Sequence, residues 1–166
     1  MKHHRAVFSM LLAIPLVIPM VAAAQELPTQ KVLPLALAQE AAFAAVSSCS
    51  ANGFRVSVAV VDVDGVVRTT MRGDGAGTHT LNSAFRKAFT AATFGRPTAS
   101  WAEAIAKNPS VASMEHIDNI LMAGGGLPIR VGNDMIGAIG AAGAPGFEKD
   151  EACAQAGIDK IKDRLR

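Results

Sequence analysis

The 166-residue sequence contains no tyrosine, a single tryptophan (Trp101) and only 5% aromatic residues. It also lacks a basic cluster. A nucleic-acid binder presents a basic stripe with aromatic platforms, so nucleic acid is not an expected partner. Cysteine is scarce: Cys49 and Cys153 are the only two. Their wide separation excludes a Cys-x-x-Cys redox pair and a Cys-x-x-Cys-His haem attachment. No Gly-x-Ser-x-Gly elbow is present, so the chain shows no serine nucleophile of that kind. After Ala24 no apolar run is long enough to span a bilayer. The one long run, Ala6 to Val21, has 16 residues and is broken by Pro15 and Pro19. A spanning helix needs roughly 20 apolar residues and tolerates interior proline poorly.

That run has a different use. Lys2 and Arg5 give it a positive start, and Ala22-Ala23-Ala24 gives it a small-residue end. Residues 1–24 therefore read as a cleavable signal peptide. The working protein is expected to begin at Gln25 and to be exported, to the periplasm or outside the cell, with no membrane span after cleavage. The net charge of +2 disappears with Lys2 and Arg5. An oxidising compartment favours pairing of Cys49 with Cys153, which would tie the first helix to the last.

Residues 25–166 suit one domain with one core. Residues 33–51 have helical spacing, with Leu35, Ala38, Ala42, Ala45, Val46 and Cys49 on one stripe. The β-branched stretch that follows is interrupted by Asp64-Gly65, which predicts a hairpin of strands 55–62 and 66–71. A second helix is expected over 78–94. Leu81, Ala84, Phe85, Ala88 and Ala92 form its core face, with His79, Ser83, Arg86 and Thr90 opposite. Ser100 and Glu103 have capping-box spacing for a short helix at 101–107. Residues 108–123 read as irregular with a helical turn. Strands 127–131 and 135–141 form a second hairpin, and a last helix runs over 148–164. The expected fold is α/β (α+β), in the order α-β-β-α-α-β-β-α. It is an antiparallel sheet built from two β-hairpins and flanked by helices.

Candidate chemistry is sparse. The run Gly124, Gly125, Gly126 offers bare backbone amides to an anion, or simply a tight loop entering a strand. No helix opens after it and no Lys-Ser or Lys-Thr follows, so it is not a P-loop. Two histidines remain beyond residue 24, His79 and His116, and imidazole is a common axial ligand of haem iron. His79 shares its helix face with Arg86, a cation suited to a propionate. Asp62 and Asp64 flank the first turn, where turn chemistry accounts for Asp64. Glu148, Asp150 and Glu151 make an acidic patch. Its Glu148 and Glu151 could hold an iron ion weakly, and its place in a first helical turn suits the helix dipole.

Three segments together carry a resemblance. VAVVDVDGVVRTTMRGDGA, FRKAFTAATFGRPT and GGGLPIRVGNDMIGAIGAAGAPGFEKDEACAQAGIDKI look like the GlcG/HbpS family of haem-binding proteins. The fold is shared with the C-terminal domain of PduO-type proteins. The resemblance covers about 35–165 and rests on Lys87-Ala88-Phe89-Thr90-Ala91 combined with GGGLPI and IGAIG. It implies a helix-flanked antiparallel sheet, a homo-oligomer, binding of haem or a related tetrapyrrole, and in some members haem degradation or redox sensing. The function expected is exported haem capture, storage, degradation or redox sensing. Two other readings stay open. One is an enzyme acting on a small carboxylate-bearing molecule held by Gly124–Gly126. The other is a non-catalytic oligomeric partner of an envelope receptor or sensor protein.

Overall fold

The computed structural model describes residues 24–166, so the signal-peptide expectation falls, Ala24 aside, outside the described residues. The elements are α1 (Leu35–Ala51), β1 (Ser57–Val61), β2 (Val67–Arg72), α2 (His79–Phe94), α3 (Ser100–Lys107), β3 (Gly126–Val131), β4 (Asp134–Ala142) and α4 (Phe147–Ile161). Short 3-10 segments cover Pro109–His116 and Lys162–Arg164. This is the predicted order, with boundaries shifted by a residue or a few. Among the described residues no helix is long and apolar enough to cross a membrane.

The two hairpins join into one antiparallel sheet of order β2-β1-β4-β3. The first turn is built by Asp62, whose Oδ1 accepts the amides of Asp64 at 3.1 Å and Val66 at 2.9 Å. An aspartate that bonds the backbone two residues on is ordinary turn chemistry, which accounts for Asp62 as well as Asp64.

Each sheet face has its own apolar layer. Val58, Val60, Leu127, Ile129 and Ile139 meet the small side chains of α1 and α4 on one face. Ala59, Val61, Ala138 and Ala142 meet Ala84, Ala88 and Ala91 of α2 on the other. Alanine and glycine let these layers approach closely. A Cβ on Gly140 would lie 2.2 Å from the Ala84 carbonyl oxygen, and one on Gly157 would lie 2.5 Å from that of Ala41. The IGAIG stretch is thus the bed on which α2 lies. Cys49 and Cys153 form the expected disulfide between α1 and α4, with Cα atoms 5.5 Å apart.

Several local expectations are corrected. Leu35 and Leu81 were placed on core stripes, but they are 47% and 37% exposed. Leu35 is the first residue of α1, and Leu81 lies off the buried face of α2, which already meets the sheet at Thr80. The capping box at Ser100 does not form: its Oγ donates to the Pro97 carbonyl at 2.7 Å. The chain is already turning at Thr98 and Ala99, so the serine sits inside the helix rather than ahead of it. Thr90, assigned to the polar face of α2, is fully buried. Its Oγ1 donates to the Arg86 carbonyl at 2.7 Å and accepts the Leu121 amide at 2.8 Å.

Candidate functional site

The loop that binds Thr90 passes over α2 and roofs part of a cavity of about 380 Å³. His79 and Ser83 stand on its α2 side, Leu121 and Ala123 on the loop side, and Gly143 and Phe147 on the far side. Local contacts set the helix start. Thr80 Oγ1 donates to the Gly77 carbonyl at 2.6 Å and pairs with buried Ser57 at 2.7 Å. Ser83 Oγ donates back to the His79 carbonyl at 3.1 Å. His79 is exposed, and its ring lies against Gly77, where an added Cβ would be 2.7 Å from Cε1. The imidazole is therefore available at the cavity mouth.

The depth of the cavity holds a charge pair that sequence reasoning missed. Lys87 of α2 and Asp150 of α4 join Nζ to Oδ2 at 2.7 Å, with side chains only 3% and 4% exposed. The ammonium also donates to the Ala141 carbonyl at 3.1 Å, and Asp150 Oδ1 accepts the Ala144 amide at 2.9 Å. The Phe147 ring closes over it, its centroid 5.1 Å from Nζ. Burial pushes the Asp150 carboxyl above the ordinary carboxylate range, against the pull of Lys87 and the Ala144 amide. Asp150, expected in an acidic patch suited to the helix dipole, is instead turned inward. The signal was present: Lys87 falls among Ala84, Ala88 and Ala91, and Asp150 is one turn before Ala154 on the buried stripe of α4.

The glycine run forms a wall of this chamber. Gly125 has φ +115°, and a Cβ there would lie 2.7 Å from the Ala141 carbonyl and 3.0 Å from Lys87 Nζ. A Cβ on Gly126 would lie 2.3 Å from the Lys87 carbonyl oxygen. The Gly126 amide donates to Thr98 Oγ1 at 2.8 Å, so it is not free to receive an anion. Close packing accounts for both residues. Gly124 instead lines a neighbouring cleft with Glu148 and Glu151.

The remaining candidates separate in space. Arg86 is half-buried and donates to the Ile120 carbonyl, which fastens the loop to α2. His116 ends the first 3-10 segment, is exposed, and is not among the residues of the His79 cavity. Among the described residues no group of three or more His, Cys, Asp or Glu side chains is placed to hold a metal ion. Haem would meet compatible chemistry at the His79 cavity: an available imidazole for iron, and Leu121, Ala123, Ala142 and Phe147 for an apolar ring.

A helix-flanked antiparallel sheet, with a cavity of mixed polar and apolar lining headed by a histidine, defines an α+β domain with a candidate ligand site. The HbpS-like family, described as haem-degrading protein HbpS-like, matches residues 33–159, and the chain belongs to that family. It is 40% identical to a double mutant of Streptomyces reticuli HbpS, over 87% of this chain and 97% of that one, with TM-score 0.77. It is 25% identical to Klebsiella pneumoniae protein ORFY, over 85% of this chain and 98% of that one, with TM-score 0.78. The PduOC complex with haem is also similar, at 25% identity over 78% of this chain and 95% of that one, with TM-score 0.72. None of the curated proteins matches the chain.

Proposed function

We propose that this protein binds haem in the cavity headed by His79, and that it does so as an exported homo-oligomer. The observation that carries the reading is the placement of His79. It is the histidine that lines a cavity with an apolar side formed by Leu121, Ala123, Ala142 and Phe147, whereas His116 stands apart on the 3-10 segment. Family membership supports haem as the ligand class, as does the haem complex of a structural relative. The signal-like residues 1–24 and the Cys49–Cys153 disulfide support export. Capture or storage is the role we favour; Arg86, expected as a cation for a propionate, is outside the cavity lining and holds the Ile120 carbonyl instead. No observation favours an enzyme acting on a small carboxylate.

Titration of the purified protein with haem, followed by Soret absorption, tests this. Wild type and His116→Ala should give the same saturable shift. His79→Ala should lose the ligand-specific band and bind at least about tenfold more weakly. Persistence of the free-haem spectrum at micromolar wild-type protein would sink the reading, and loss of the band only in His116→Ala would move the ligand. Decay of the Soret band with a reductant and oxygen would show degradation rather than storage. Mass spectrometry of the protein recovered after secretion should give an N-terminus at Gln25.

A further inference from the structure

The His79 cavity follows α2 from that histidine to Lys87, two turns and about 12 Å of rise further along the helix. The ionisable side chains that line it are His79, Lys87 and Asp150. An ammonium carries three N–H donors. Lys87 directs one to Asp150 Oδ2 at 2.7 Å and one to the Ala141 carbonyl at 3.1 Å. The remaining N–H has no oxygen acceptor among the described residues. The Phe147 ring, its centroid 5.1 Å from Nζ, offers only a weak π acceptor. Nearby hydroxyls are engaged elsewhere: Thr80 with the Gly77 carbonyl and Ser57, Ser83 with the His79 carbonyl. A buried charged donor left without an acceptor is costly. The charge itself, by contrast, is already matched by Asp150. The inner end of the cavity thus holds a strong donor in a pair with no net charge.

We infer that this inner end receives a neutral oxygen acceptor, the carbonyl group of an apolar molecule, on the remaining N–H of Lys87. The surroundings select this class. A carboxylate would meet Asp150 with no second cation to offset it, and like charges in a poorly solvated chamber repel strongly. A ligand cation would meet the Lys87 ammonium. A hydrocarbon would leave the N–H without an acceptor. Leu121, Ala123 and Phe147 supply apolar surface for the rest of the molecule, while Ala142 and Gly143 carry no bulk to obstruct it. A ligand that bears carboxylates, haem included, would keep them at the mouth, where water solvates them. The inference rests on the cavity being a ligand site, as proposed above, but not on haem being the ligand.

Acetophenone, ethylbenzene and benzoate share a ring and differ in what they present to Lys87. Acetophenone should shift the amide resonances of Gly143 and Ala144 saturably. Ethylbenzene should bind roughly tenfold more weakly, and benzoate should not bind. The infrared carbonyl stretch of isotope-labelled acetophenone should move to lower frequency on binding, the mark of a strong hydrogen bond. Lys87→Met/Asp150→Leu removes donor and counter-charge together. It should erase both the frequency shift and the preference for acetophenone over ethylbenzene. Far-UV circular dichroism checks that this variant is folded, and the frequency shift in the wild type decides the matter without it. Equal binding of ketone and hydrocarbon by the wild type would overturn the inference. So would tighter binding of benzoate, an unshifted carbonyl stretch, or no saturable change at Gly143 and Ala144. These probes contain no haem and give no Soret band, so a failed haem titration and a failed carbonyl preference are told apart.

Discussion

Lys87 and Asp150 lie 63 residues apart in sequence and meet at 2.7 Å in a chamber nearly closed to solvent. The pair joins α2, on one sheet face, to α4, on the other. Breaking one partner leaves an uncompensated buried charge. Lys87→Met should therefore lower stability by about 3–5 kcal/mol. The double variant Lys87→Met/Asp150→Leu should recover part of that loss, because both desolvation penalties vanish together. Urea unfolding of the four proteins of this cycle measures the coupling. Additive losses would show that the pair does not act as a unit.

The glycines around this chamber should tolerate change very unequally. Gly126→Ala forces a Cβ to within 2.3 Å of backbone and should destabilise by roughly 3 kcal/mol or more. Gly124→Ala meets its neighbours at 3.1 Å or beyond and should cost about 1 kcal/mol or less. Thermal melts of the two variants decide this, and equal losses would contradict the packing account.

Reduction of Cys49–Cys153 removes a link spanning 104 residues of sequence. The expected loss is up to about 4–5 kcal/mol in the chain-entropy description. Cys49→Ser/Cys153→Ser should show it in denaturant without any reductant. Two free thiols by mass in the untreated protein would refute the link itself.

One pH response follows from the exposed pair Lys31–Asp134, at 2.8 Å. Lys31 holds the Asp134 carboxyl below the ordinary carboxylate range, by hydrogen bonding and charge. This contribution is present above the ordinary range and is lost as pH falls through the lowered native value. The pair is solvated, so global stability should hardly register it. The protection factors of amides near Lys31, corrected for intrinsic exchange, should fall below about pH 4 in wild type. In Lys31→Ala they should already be low at neutral pH.

Patterns confined to one element were legible in the sequence. Alternation around Asp64-Gly65, the alanine stripe of α1 and the hairpin before α4 sufficed for the element order and the antiparallel sheet. The site was less so, because its parts are remote from one another. Lys87 looks like a surface residue until α4 brings a carboxylate to it. Asp150 fits a helix dipole until its side chain is seen to turn inward beside Ala154. Thr90 and Arg86 look like a polar helix face until the loop at Ile120 and Leu121 lies across them. Ser100 and Glu103 have the right spacing for a cap, but spacing does not report that the preceding residues have already begun to turn. The three motif segments were recognisable apart, whereas their meeting place around Lys87 is a property of the folded chain.

Asp150 and Cys153 lie three residues apart on α4, one fastened to α2 and the other to α1. Helix α4 therefore carries a direct link to each of the two layers that flank the sheet. The redox state of the surroundings thus bears on how firmly the Lys87 chamber stays shut, although neither cysteine touches it.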